Sequence, residues 1–240
     1  MKYLLITMVA IISVSASEYR GGFLNLPAPI DGISGGDLEL AVNHRFFGYA
    51  FKDEPLETFF GLDNGANVAF DMRYLPTDDF YLKYGHTRLW HRHTVSAGMS
   101  YMVVQPLQLL GELGYTSIKP GSAADWEGGL LATFSASARL LENRVRPVVN
   151  FAYDGNREES GPGFGLEVTL TDNISVSGEY FLAAVDNADN DCYSFAGRYS
   201  TWGHQFILGL SNSAGIGPWD QLAGSSTGDL SVAFSIRRMF

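Results

Sequence analysis

Four residues in the first third of the chain have the types and spacing to do chemistry together: His44, Asp63, Asn64 and His86. A histidine oriented by a carboxylate or an amide can act as a base, a metal ligand or a contact for a lipid headgroup. If His44 ends one strand, Asp63 and Asn64 begin the next and His86 ends a third, all four share one rim. Neighbouring strands are about 4.8 Å apart, so the histidines would stand roughly 10 Å apart with the Asp-Asn pair between them. His91 and His93 follow closely in Trp90-His91-Arg92-His93. Against hydrolysis, no serine stands beside these histidines as in a dyad and no G-x-S-x-G occurs. Histidines capping an aromatic belt are the simpler reading, and the chain is expected to need no metal and no cofactor.

A larger set of charged residues falls on alternate positions of apolar segments. Glu39, Asp71, Glu112, Glu167 and Glu179 accompany Arg45, Arg73, Lys83, Arg139, Arg144, Arg146, Arg198 and Arg237. If the apolar register faces outward, both signs of charge point into an enclosed space. Such a lumen is either a small polar channel or an interior closed by paired charges, since buried charges need partners. Other candidates are weak. Asp186, Asn187, Asp189, Asn190 and Asp191 form an acidic loop without the glycine and distal glutamate of a Ca²⁺ loop. Cys192 is read as lying in an exposed loop beside Asp191, which disfavours a thiolate. The glycine-rich stretches 61–65 and 214–228 are turn material with no following helix to hold a phosphate.

The elements that must position these residues are strands. Apolar and polar residues alternate with period two over 37–47, 65–75, 79–87, 93–104, 106–117, 129–141, 144–153, 163–171, 173–183, 192–200, 204–211 and the C-terminal 228–240. This predicts twelve strands. Their connections are read as alternating strictly between long and short, a pattern of barrels with short periplasmic turns and longer extracellular loops. The fold class is therefore an all-β, up-and-down antiparallel transmembrane barrel.

The two ends point the same way. Met1-Lys2-Tyr3, then LLITMVAIISV, then Val14-Ser15-Ala16 have the layout of a cleaved signal peptide, too short for a spanning helix. The expected organisation is a signal peptide over 1–16, an N-terminal periplasmic segment over 17–36 and an outer-membrane barrel over 37–240. The last strand closes on Phe240. It resembles the terminal aromatic that signals barrel assembly in bacterial outer-membrane proteins, with Arg238 departing from that pattern. The net charge of −10 gives no basic footprint for nucleic acid. A mean hydropathy of zero suits a barrel whose strands turn one face to a polar lumen.

Residues 43–46 read Asn-His-Arg-Phe, residues 59–66 read Phe-Phe-Gly-Leu-Asp-Asn-Gly-Ala, and Tyr74-Leu75-Pro76-Thr77-Asp78 follow. These elements resemble a family of bacterial outer-membrane β-barrel proteins of unknown function, over residues 37 to about 90. The resemblance implies a fold and an outer-membrane location. The expected role is a small polar pore or a structural barrel without catalysis. Its expected partners are outer-membrane lipid, the barrel-assembly machinery and small polar solutes. The alternatives are a lipid-modifying enzyme using the rim histidines and a secreted soluble β-barrel that binds a ligand.

Overall fold

Twelve antiparallel strands close into one barrel in a computed structural model that describes residues 22–29, 32–52, 54–119, 121, 124–185 and 188–240. The expected signal peptide and the loop residues Asp186 and Asn187 lie outside the described residues. The strands are β1 (Leu38–Tyr49), β2 (Ala66–Tyr74), β3 (Phe80–Thr87), β4 (Arg92–Val104), β5 (Leu107–Ile118) and β6 (Glu127–Ala138). They continue as β7 (Val145–Asp154), β8 (Glu159–Thr169), β9 (Ile174–Phe181), β10 (Cys192–Thr201), β11 (His204–Ser211) and β12 (Ser231–Met239). A short helix, α1 (Pro218–Leu222), interrupts the connection between β11 and β12. Each strand pairs with its sequence neighbours, and β1 pairs with β12 from Glu39↔Met239 to Arg45↔Ala233, so no edge is left open. Phe240 completes the seam: its backbone exchanges hydrogen bonds with Leu38 at 2.9 and 3.1 Å.

The alternation in the sequence becomes two walls with opposite chemistry. Val42, Phe70, Leu82, Val95, Leu113, Phe134, Phe151, Phe164, Phe195 and Leu208 come from ten of the twelve strands and face outward, each substantially exposed. A water-soluble monomer rarely exposes an apolar patch larger than a few hundred Å². Here the apolar surface runs round the barrel, as hydrocarbon solvation requires. The inward face carries Glu39, Asn43, Arg45, Thr94, Ser96, Glu112, Thr116, Ser135, Asn150, Glu167, Glu179, Arg198 and Gln205, all buried.

Two expectations about the connections change. The links 75–79, 105–106, 139–144, 170–173 and 202–203 gather at one end, and the links 50–65, 119–126, 182–191 and 212–230 at the other. Residues 88–91 and 155–158 also lie at that second end, yet they are tight. There the ladders run further than the sequence suggested, to Thr87↔Arg92 and Asp154↔Glu159, because inward Arg92 and Asp154 have partners in the lumen. Cys192 is also not in an exposed loop. It opens β10 and is fully buried, packed with Phe23 and Phe181.

Residues 22–29 are the first described part of the chain and belong to the stretch 17–36 that precedes the first strand. They run inside the barrel, with Phe23, Leu24, Leu26 and Ala28 buried against the wall.

Candidate functional site

The site with the densest chemistry is the lumen. Its wall accommodates two apolar side chains of the inner segment. Phe23 packs with Val148, Phe181 and Cys192, and Leu24 packs with Ala196, Ile207 and Ala233. Glycines make the room. A Cβ at Gly165 would come 2.9 Å from the Phe23 ring, and one at Gly209 would come 2.8 Å from Leu24 Cδ1. Burial of each such side chain contributes about 1.5–3 kcal/mol.

The rest of the grip is polar, and it falls on backbone. Arg237 donates to the Phe23 carbonyl at 2.7 Å, and Arg45 to the Leu24 carbonyl at 3.0 Å. Ser135 donates to the Pro27 carbonyl at 2.7 Å, and Arg146 to the Pro29 carbonyl. In the other direction, the Glu179 carboxylate accepts from the backbone N–H groups of Leu24 and Asn25, the latter at 3.0 Å. The segment has no sheet ladder of its own, so these side chains satisfy buried backbone groups that would otherwise cost free energy.

A second insertion enters from the end that carries the longer links. In the β11–β12 connection, Trp219 and Leu222 of α1 pack on Leu131 and Ala152 of the wall. Asp220 meets Arg92 at 2.6 Å and Arg157 at 3.6 Å, while Asp154 meets Arg157 at 3.0 Å and Arg92 at 3.8 Å. Asn67 donates to the Ala214 carbonyl at 2.8 Å. The two insertions touch: Asn25 Oδ1 accepts from Arg45 at 3.1 Å and from the Gly217 backbone at 3.4 Å. Between them and the wall of β1–β5 remains a cavity of about 120 Å³, lined by Glu39, Asp71, Arg73, Tyr81, Lys83 and Glu112.

Twelve of the thirteen charged residues expected in the lumen stand on inward positions, and most meet an opposite charge or a polar partner there. Arg73 approaches Glu39 at 3.7 Å, Lys83 approaches Asp71 at 3.8 Å, and Tyr81 and Ser96 both donate to Glu112 at 2.6 Å. Glu167 faces Arg198 at 2.5 Å and Arg146 at 3.8 Å. Arg139 donates to Gln108 at 2.9 Å. Arg144 is the exception. It lies exposed in the turn between β6 and β7, because the ladder of β7 begins only at Val145. Sequence reasoning missed Arg92, Asp154, Arg157 and Asp220. The first two had a usable signal, since Arg92 keeps step with inward Thr94 and Ser96, and Asp154 with inward Ala152.

The rim histidines are on the outer wall. His44 stacks on Phe46 and lies beside Phe234, each at 6.3 Å between ring centroids. His86 pairs with His93 at 4.5 Å, and His93 meets the Tyr84 hydroxyl at 2.9 Å and the Trp126 ring at 5.7 Å. His44 is opposite Val68 and His86 opposite Phe70, so both lie towards the same end with apolar β2 residues between them. Asp63 and Asn64 sit exposed in the β1–β2 connection, and no hydrogen bond or ion pair joins them to either histidine. Among the described residues, no three His, Cys, Asp or Glu side chains converge to hold a metal ion. In the acidic loop, Asp191 is used structurally. The Ala183 N–H at 2.9 Å and the Tyr180 hydroxyl bond its carboxylate and hold it below the usual range.

Solved structures share the architecture. The KdgM porin superposes with a TM-score of 0.57 at 7% identity, covering 85% of this chain and 99% of that one. The NanC porin superposes with a TM-score of 0.53 at 6% identity, covering 84% and 98%. LpxR from Salmonella typhimurium reaches only 0.45 at 10% identity over 85% and 99%, too low to bear on an enzymatic role. No curated protein matches the sequence. Residues 30–107, which hold β1 to β4, match the model of a family described as a membrane bound beta barrel domain, DUF5777.

Proposed function

We propose that this chain is a bacterial outer-membrane barrel that serves as a passive polar pore and rests closed. The observation that carries this reading is how the lumen is filled. Residues 22–29 are held by side chains acting on backbone, without a single strand ladder to the wall. A segment held in this way can leave and the twelve-stranded wall stays closed on itself. The wall it would uncover is polar and charged, suited to small polar solutes. The apolar outer face, the signal-peptide layout and the family match support the outer membrane as its site, with lipid and the assembly machinery as partners.

The test is a removable lock. Leu24 and Ala233 share one apolar cluster. A chain carrying Leu24→Cys and Ala233→Cys is reconstituted into planar bilayers under oxidising conditions and then reduced. The pore reading predicts silence when oxidised and discrete conductance steps after reduction. Silence in both states, from protein shown to be inserted, would leave a structural barrel instead.

A further inference from the structure

The inner segment brings no formal charge into the lumen: residues 22–29 read Gly-Phe-Leu-Asn-Leu-Pro-Ala-Pro. Yet the wall facing it is rich in guanidinium groups. From β6 round to β12 and on to Arg45 of β1, the inward residues include Arg45, Arg139, Arg146, Arg198 and Arg237, against the carboxylates Asp154, Glu167 and Glu179, of which Asp154 is taken up by Arg157 and Arg92 at the end with the longer links. Three of these arginines spend donors on uncharged carbonyl oxygens: Arg237 on Phe23, Arg45 on Leu24 and Arg146 on Pro29. Arg45 is 1% exposed, and its Nε has no hydrogen-bond partner. A guanidinium binds an anionic oxygen about twice as strongly as a neutral one, and its planar fork matches a carboxylate. In a chain of net charge −10, the strip is locally basic where the segment lies.

Resting on the pore reading above, we infer that Arg45, Arg146 and Arg237 form an oxyanion-binding strip, and that the carbonyl oxygens of residues 23–29 occupy it until an anionic solute competes for it. The ligand is a small solute bearing carboxylate or phosphate oxygens. It displaces the segment because it offers the three guanidinium groups charged acceptors in place of neutral ones. The strip is thus both the selectivity element and the latch. Glu179 is part of the same latch from the other side, since its bonds to the Leu24 and Asn25 amides are lost when the segment leaves.

The test reads the latch directly in the full chain, without needing conductance. Amide hydrogen exchange of Leu24 and Asn25 is followed in protein held in a lipid nanodisc, with succinate, inorganic phosphate, glucose, or potassium chloride at matched ionic strength. The inference predicts exchange at these two amides about tenfold faster with the oxyanion that fits, and no acceleration with glucose or chloride. Acceleration by succinate alone marks a carboxylate solute, and by phosphate as well an oxyanion solute in general. The double variant Arg45→Gln, Arg237→Gln should exchange faster at baseline and lose the response. Equal acceleration by chloride, by glucose, or no response to either oxyanion would overturn it. In the reduced, conducting form of the lock, the reversal potential under a salt gradient should favour anions and shift towards cations in the same double variant. An open pore with no such shift would also refute the strip while leaving the pore reading intact.

Discussion

Replacing Phe23 by Ala isolates how firmly the inner segment is held. The Phe23 side chain is 1% exposed, seated among Val148, Phe181 and Cys192 with Gly165 beneath its ring. Losing its burial costs about 1.5–3 kcal/mol of docking free energy. The barrel keeps its ladders, because Phe23 belongs to no strand. A factor of ten accompanies each 1.4 kcal/mol, so the docked-to-undocked ratio should fall roughly ten- to a hundredfold. The amides of Leu24 and Asn25, which donate to Glu179, report that ratio through their hydrogen exchange. They should speed up by that factor, while amides in the middle of β1, β5 and β9 exchange as before. Unchanged exchange at Leu24 and Asn25 would mean that the aromatic anchor does not hold the segment. Equal acceleration across the strands would mean that Phe23 supports the barrel itself, and the idea of a separable segment would fall.

Three further outcomes are expected. Arg92→Gln strips one partner from two buried carboxylates, Asp154 and Asp220, a loss of about 3–5 kcal/mol where a buried pair is broken. The 212–230 connection should then become cleavable by added protease, while the heat-modifiable gel mobility of the barrel persists. Deleting Phe240 removes the last backbone pair of the β1–β12 seam and should lower the amount of folded protein reaching the membrane, read on the same gels. Replacing His44 and His86 with Gln should leave both assembly and conductance unchanged, since each ring only packs among aromatic neighbours on the outer wall. Loss of a lipid-modifying activity in that variant would restore the enzymatic alternative.

The strands were legible because period-two alternation is a local property. Every expected strand has its counterpart, and the inward register of residues such as Glu39, Glu112 and Glu179 follows from it. The contents of the lumen were not legible. Gly22 to Pro29 have no periodicity, and their partners are far away in sequence: Arg237 lies more than 200 residues from Phe23. Nothing local shows that Arg45 would face a carbonyl rather than a solute. The same holds for Asp220, whose partners Arg92 and Arg157 come from other hairpins. The turn at 139–144 misled for a related reason. Alternation continues past Ala138 in the sequence, but the chain reverses there and leaves Arg144 outside.

The account stands most directly on where residues 22–29 lie in the membrane-inserted protein. Oxidative cross-linking of Leu24→Cys to Ala233→Cys, compared with Leu24→Cys to Phe234→Cys, settles it. Ala233 is buried beside Leu24, and Phe234 is its outward neighbour on the same strand. Efficient cross-linking to position 233 and none to 234 is the predicted result. Absence of cross-linking to 233 in inserted protein, or equal cross-linking to both, would contradict a barrel closed by its own N-terminal segment.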